Sequence, residues 1–166
     1  MQRTETQHQM ANCLTDAEFP ELPGFCSNKV RDTYLLPGKR RLLISTDRQS
    51  AFDQILTAVP HKGQVLNQVA RYWFDKTADV CPNQIISYPD PNVALVKDLD
   101  MLPIEIVVRS YLTGSTNTSV WPMYERGERV IYGHDFHDGY TKNQKLPEPI
   151  ITPTTKPTGD GHDAPI

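Results

Sequence analysis

An α+β fold with a largely antiparallel sheet is predicted by three features of the chain. Two runs with strand periodicity, Lys29–Leu36 (KVRDTYLL) and Arg41–Thr46 (RLLIST), flank the turn signal Pro37-Gly38-Lys39. A stretch opened by Gly63 repeats its apolar residues with a helical period. More strand-like runs follow that helix, so strand pairs come both before and after it, the pattern of an α+β domain.

Each element rests on its own residues. Residues 1–24 read as a polar extension with a weak helix start, Thr15 capping and Glu18 three residues on, ended by Pro20, Pro23 and Gly24. The hairpin of residues 29–46 comes next, and Asp47–Asp53 (DRQSAFD) reads as a solvated polar connection rich in local hydrogen bonds. In the helix, Val65, Leu66, Val69, Ala70, Trp73, Phe74 and Thr77 share one face, which is predicted to pack on a sheet. Gln84–Pro89 and Val93–Leu99 are strands split by Pro89-Asp90-Pro91. Along Ile104–Arg109, alternation predicts Ile104, Ile106 and Val108 in the core, with Glu105, Val107 and Arg109 on the opposite face. A helix is predicted from Ser115 to Arg126 despite Pro122, then loop with a short strand at Val130–Tyr132, and an extended Pro149–Lys156.

Composition narrows the function classes. The 166 residues suffice for one solid domain, or one domain and part of another. No apolar run approaches the roughly 20 residues of a membrane-spanning helix, and the polar start MQRTETQHQMANC lacks the layout of a secretory signal. A net charge of −3 is not the footprint of a nucleic-acid binder. Cys13, Cys26 and Cys81 are widely spaced with no CxxC, which suits reduced thiols in the cytoplasm. His61, His134, His137 and His162 show no metal-ligand spacing. Proline recurs through residues 147–165, as in a disordered tail or a segment crossing between domains.

Three segments invite an anion. Arg109 ends a strand just before Gly114 and Ser115, where backbone freedom and the first amides of a helix suit a phosphate monoester held by a guanidinium fork. An N-cap serine beside a structural arginine explains the same residues. Lys29 and Arg31 lie on one face of the first strand, either above a polyphosphate or as charges guarding an edge. Lys62 and Gly63 precede the long helix, a weaker signal of the same kind.

Taken in order, KVRDTY, STDRQSAFDQIL, PHKGQVLNQ, LPIEIVVRSYLTGS, LPEPIITPTTK and GHDAPI resemble the SAICAR synthetase (phosphoribosylaminoimidazole-succinocarboxamide synthase) family from about Phe25 to Ile166. The resemblance implies a carbon–nitrogen ligase of purine biosynthesis that joins a carboxyaminoimidazole ribonucleotide to L-aspartate. ATP phosphorylates the substrate carboxylate, magnesium assists, and the aspartate amine displaces the phosphate. It also implies a nucleotide lobe like an ATP-grasp module or a kinase small lobe at residues 25–100, and the start of a second α+β domain at 101–166. Lys29, Val30 and Arg31 match the segment over the ATP phosphates, and Lys156 a lysine near the nucleotide. Arg109 and Ser115, with Gly114 between them, match the holders of the ribonucleotide phosphate. Asp47, Ser50, Lys62 and Asp163 match motifs around the carboxyaminoimidazole and aspartate.

Two departures accompany the resemblance. Asn28 replaces the glycine usual before Lys29; asparagine tolerates left-handed backbone better than most residues. The acidic D-x-K-x-E-x-G segment that supplies the family's magnesium ligands is absent from these residues. The chain therefore resembles the N-terminal half of such an enzyme, inactive alone, with no metal site of its own. Alternatives are a nucleotide-binding remnant or an assembly partner without chemistry. A protein-kinase small lobe is opposed by the lack of a Gly-x-Gly-x-x-Gly loop.

Overall fold

A computed structural model of the chain describes residues 11–51, 54–156 and 164–166. It divides into two compact units, Met1–Asp100 and Met101–Ile166. The α+β class holds in both. Among the described residues no helix is long and apolar enough to cross a membrane.

The first unit is built on a five-stranded antiparallel sheet. Strands β1 (Phe25–Ser27), β2 (Arg31–Leu36), β3 (Arg40–Ser45), β6 (Ile85–Asp90) and β7 (Val93–Lys97) lie in the order β1-β2-β3-β7-β6. The β2–β3 hairpin closes at Gly38 and Lys39, both with positive φ, and pairs Arg31 with Ser45 at its open end. Tyr34 (0% exposed) and Ile44 pack with Ala17 beneath the sheet, joined by Leu14, Leu22, Leu36 and Val93. Full burial of an apolar side chain such as Ile44 contributes about 1.5–3 kcal/mol.

The segment that feeds this cluster corrects one expectation. No helix starts at Thr15; residues 13–19 have no regular structure. Their backbone groups are taken instead by side chains of the sheet. The Leu14 amide donates to Asp47, the Ala17 amide to Asp32 and the Phe19 amide to the Tyr34 hydroxyl, while that hydroxyl donates to the Ala17 carbonyl. A capping propensity worth about 1 kcal/mol loses to several buried hydrogen bonds. Part of the polar extension is thus a structural strap of the first unit.

A second correction concerns residues 47–53. Their described part, residues 47–51, is not a solvated connection: Arg48–Ala51 forms strand β4, paired antiparallel with β5 (Gln54–Ala58) through a register shift at Gln49/Ser50, and residues 52–53 lie outside the described residues. Asp47 and Arg48 are buried. The long helix, here α1, runs Lys62–Lys76 and begins at His61, whose φ is 63°. Gly63 is required there, because a Cβ would overlap the Ser45 carbonyl and the Asn92 side chain.

The predicted packing face of α1 is corrected as well. Gly63 and Asn67 are its buried residues, whereas Trp73 is 59% exposed and Val65, Leu66 and Val69 are exposed too. Part of the predicted face does approach the sheet: Ala70 and Phe74 are half-buried and line a cavity with Leu43, Ile85 and Ala94, beside the buried Gly63 and Asn67. Asn67 donates to the Pro91 carbonyl at 2.9 Å.

In the second unit, β8 (Ile104–Tyr111) pairs antiparallel with β11 (Lys145–Thr155), Arg109 opposite Ile150 and Val107 opposite Thr152. The extended reading of Pro149–Lys156 holds. The two faces of β8 are reversed from expectation: Ile104, Ile106 (65% exposed) and Val108 are exposed, while Val107 and Arg109 are half-buried. The buried residues of β11 are Leu146, Ile150, Thr152 and Thr154, the last three alternating with the exposed Ile151 and the half-buried Pro153. Alternation was right and its sign was wrong, since an apolar pattern does not say which face another element covers.

The core of this unit is aromatic. Leu112, Val120, Met123, Tyr124, Ile131, Phe136, Leu146 and Ile150 form one buried cluster. Tyr124 meets the Tyr140 ring edge-on at 6.0 Å, and the Arg129 guanidinium lies 4.2 Å from the Tyr124 centroid. Helix α2 is short, Val120–Glu125, with Ser119 at its N-cap. It starts five residues later than expected, so Ser115 does not open a helix. Past it, β9 (Val130–Ile131) lies where a short strand was expected, and β10 (His134–Asp135) completes a hairpin with it.

Candidate functional site

The expected nucleotide residues lie on the turn that leads into β2. Lys29 and Arg31 are exposed. Beneath them sits a buried ion pair that sequence reading did not single out. Arg48 Nη2 donates to Asp32 Oδ1 at 2.6 Å and Nη1 to Oδ2 at 3.2 Å, a bidentate fork. The remaining guanidinium donors go to main-chain carbonyls: Nη1 to Thr15 at 2.8 Å, Nη2 to Asn28 at 2.7 Å and Nε to Lys29 at 3.2 Å. Asp32 also accepts the Ser27 hydroxyl at 2.7 Å and the Ala17 amide at 3.1 Å.

Asp32 is 0% exposed and Arg48 is 7% exposed. Burial is the largest single influence on the Asp32 carboxyl and opposes its ionisation. The hydrogen bonds from Arg48, Ser27 and Ala17, with the Arg48 charge, outweigh it and hold the carboxyl below the usual carboxylate range. A signal for this pair was present in the sequence. Asp32 shares a strand face with Tyr34, and an acid on a face that enters the core needs a cation.

Asp47, Ser50 and Lys62 belong to the same unit. Asp47 Oδ1 accepts the Gly63 amide at 2.8 Å and Oδ2 the Leu14 amide at 2.9 Å, so both oxygens hold backbone. Lys62 Nζ donates to the Arg48 carbonyl at 2.9 Å. Ser50 is half-buried on β4 at the register shift. The strap, β4 and the start of α1 are therefore tied to one another through Asp47, Arg48 and Lys62.

The second unit carries the expected phosphate residues. Arg109 is half-buried; its Nε donates to Thr152 Oγ1 at 3.0 Å, and that hydroxyl donates to the Val107 carbonyl at 3.1 Å. Among the described residues no carboxylate pairs with Arg109. Its charge reaches Tyr132: burial pushes that phenol up, while Arg109 pulls it down. The Tyr132 hydroxyl donates to the Thr118 carbonyl at 2.7 Å.

Gly114 has φ +115°, and a Cβ there would overlap the Ser119 side chain. Ser115 is exposed in the irregular segment that follows. Ser119 Oγ gathers that segment, accepting the Thr116 amide at 3.3 Å and sharing a 2.7 Å hydrogen bond with the Thr116 hydroxyl. Lys156 lies at the end of β11, 3.3 Å from Glu105 in an exposed ion pair. Asp163 lies outside the described residues. Among the described residues no group of three or more His, Cys, Asp or Glu side chains is placed to hold a metal ion.

Comparison with known proteins agrees with this fold. Residues 25–166 match the family model described as SAICAR synthetase. A relative from Agrobacterium fabrum, named putative phosphoribosylaminoimidazole-succinocarboxamide synthase 2, is 58% identical over 153 residues, covering 92% of this chain and 48% of the relative. Phosphoribosylaminoimidazole-succinocarboxamide synthase of Legionella pneumophila strain Paris is 52% identical over 157 residues, 95% of this chain and 49% of that protein. The chain thus spans about half the length of the curated relatives it matches. Among solved structures, SAICAR synthase from Saccharomyces cerevisiae complexed with SAICAR superposes with a TM-score of 0.75 at 28% identity, over 86% of this chain and 54% of the other. With the match running through both units, the chain belongs to the SAICAR synthetase family.

Proposed function

We propose that this chain supplies the nucleotide-holding and phosphate-holding parts of an ATP-dependent ligase that joins a carboxyaminoimidazole ribonucleotide to L-aspartate, giving SAICAR, ADP and phosphate. One observation carries the reading: Arg109 is half-buried beside Thr152 with no acidic partner among the described residues. A guanidinium kept in that state is suited to a ligand oxyanion. Arg109, Gly114 and Ser115 hold the ribonucleotide phosphate in this reading, and Lys29, Val30 and Arg31 hold the phosphates of ATP. Lys156 adds charge near the nucleotide; its ion pair with Glu105 is exposed and weak enough to exchange for a ligand. Ser50, Lys62 and Asp163 border the carboxyaminoimidazole and aspartate, and Asp47 acts on that region through the Gly63 amide and the strap that it fixes.

These residues match what the reaction demands. Phosphoryl transfer to a carboxylate needs alignment and neutralisation of charge on the transferred group, which lysine, arginine and main-chain amides supply. The SAICAR-bound yeast enzyme, similar across most of this chain, supports the assignment of substrate class.

A hybrid tests it. Residues 1–166 are fused to the part of the Agrobacterium fabrum relative beyond its matched region and supplied with ATP, magnesium, ribonucleotide and aspartate. The hybrid is expected to form SAICAR with ATP consumption, and the 166-residue chain alone to form none. Arg109→Ala in the hybrid is expected to raise KM for the ribonucleotide roughly tenfold or more, the loss of one charge-assisted contact. A normal KM removes the phosphate assignment, and a folded hybrid that consumes no ATP removes the ligase reading.

A further inference from the structure

Arg48 donates to the carbonyls of Asn28 and Lys29, and Thr46 donates to the next one along, from its amide at 3.2 Å and its hydroxyl at 2.9 Å to Val30. Three successive carbonyls are thereby drawn inward. Among the described residues no peptide bond is cis, and in a trans peptide the N–H points opposite to the preceding C=O. Fixing the carbonyls of Asn28 and Lys29 therefore turns the amides of Lys29 and Val30 away from the guanidinium, toward the side where Lys29 and Arg31 are exposed. Successive amides with a common direction make a concavity for anions.

We propose that Arg48, held by Asp32, is the positioning residue of this turn: it sets the amide direction that lets the Lys29–Arg31 segment receive a polyphosphate, without touching the polyphosphate itself. The inference rests on the nucleotide reading of that segment. It adds a residue pair outside the expected site residues and gives a cause for the orientation of the turn. All of the guanidinium donors are spent on protein oxygens, so Arg48 has none left for a ligand. The fork is also specific to arginine. A lysine at position 48 reaches Asp32 with one charge but cannot serve the Asn28 and Lys29 carbonyls together.

The test uses the 166-residue chain and inorganic triphosphate as the probe, followed by amide NMR. In the unaltered chain the Lys29 and Val30 amides are expected to shift as triphosphate reaches millimolar concentration, while the Arg48 Nε–H signal stays in place. In Arg48→Lys, checked for a cooperative thermal transition, apparent affinity at those amides is expected to fall roughly tenfold or more, as for a lost charge-assisted hydrogen bond. Unchanged affinity in a folded Arg48→Lys chain overturns the positioning role alone. If the unaltered chain shows no shift at Lys29 and Val30, the nucleotide reading of the turn falls and the inference falls with it. Should Arg48→Lys not fold, the unaltered chain decides: an Arg48 Nε–H signal that moves with the amides means direct contact with phosphate and overturns the proposal.

Discussion

Arg48 and Arg109 are two arginines on strands of one chain, and they are used in opposite ways. The first is buried, forked onto Asp32 and saturated by main-chain carbonyls. The second is half-buried, makes one hydrogen bond from Nε to a threonine hydroxyl, and has no acidic partner among the described residues. A saturated guanidinium belongs to the architecture; one with donors to spare is what the proposed phosphate site requires. Charge alone does not separate them, and neither does position on a strand. The count of satisfied donors does.

The difference is open to direct attack. Asp32→Ala leaves the Arg48 charge buried without its carboxylate, and stability measured by denaturant unfolding is expected to fall by about 3–5 kcal/mol. A loss below about 1 kcal/mol breaks the claim that this pair organises the first unit.

Acid is a gentler probe of the same carboxylate. The Asp32 carboxyl is lower in the folded chain than in the unfolded one, so its contribution is fully present above the unfolded value, near pH 4. It is lost as pH falls through the lower folded value. Between pH 6 and 2 the unfolding midpoint is expected to drop more steeply for the unaltered chain than for Asp32→Asn, which cannot titrate there. Parallel curves refute the assignment.

The smallest effect is expected at the other arginine. Arg109→Ala removes a single hydrogen bond to Thr152 and leaves no buried charge behind, so stability should change by less than about 1 kcal/mol. A loss comparable to that of Asp32→Ala shows that Arg109 is structural after all, and that its missing acid partner says nothing about a ligand.

Much of the architecture was legible from local chemistry. The Pro37-Gly38-Lys39 turn between alternating runs announced the β2–β3 hairpin, and the apolar period after Gly63 announced α1. What failed did so for one reason: periodicity identifies a face without identifying its neighbour. Val65, Leu66, Val69 and Trp73 of α1 and the isoleucines of β8 all read as core and all are exposed. The Asp47–Ala51 segment failed in the reverse sense. Its polar residues suggested solvent, yet Asp47 and Arg48 are buried, with partners distant in sequence: the strap at Leu14–Ala17 and the Asn28–Lys29 carbonyls.

The candidate site divides the same way. Lys29, Arg31, Arg109 and Ser115 could be named from residue type and turn chemistry, and the family resemblance supplied roles for them. For Asp32 the sequence signalled only that an acid on the Tyr34 face needs a cation; that the cation is Arg48 could not be read, because a buried ion pair between residues sixteen apart exists only once β2 and β4 are in place.

From its residue order alone this chain determined the β2–β3 hairpin with its turn and the start of the long helix, because turn propensity and side-chain periodicity act over a few residues. Tertiary structure decided which faces are covered, which charges are neutralised inside and which guanidinium is left with donors to offer. Those outcomes depend on desolvation and hydrogen-bond saturation between distant segments, quantities that do not exist until the segments meet.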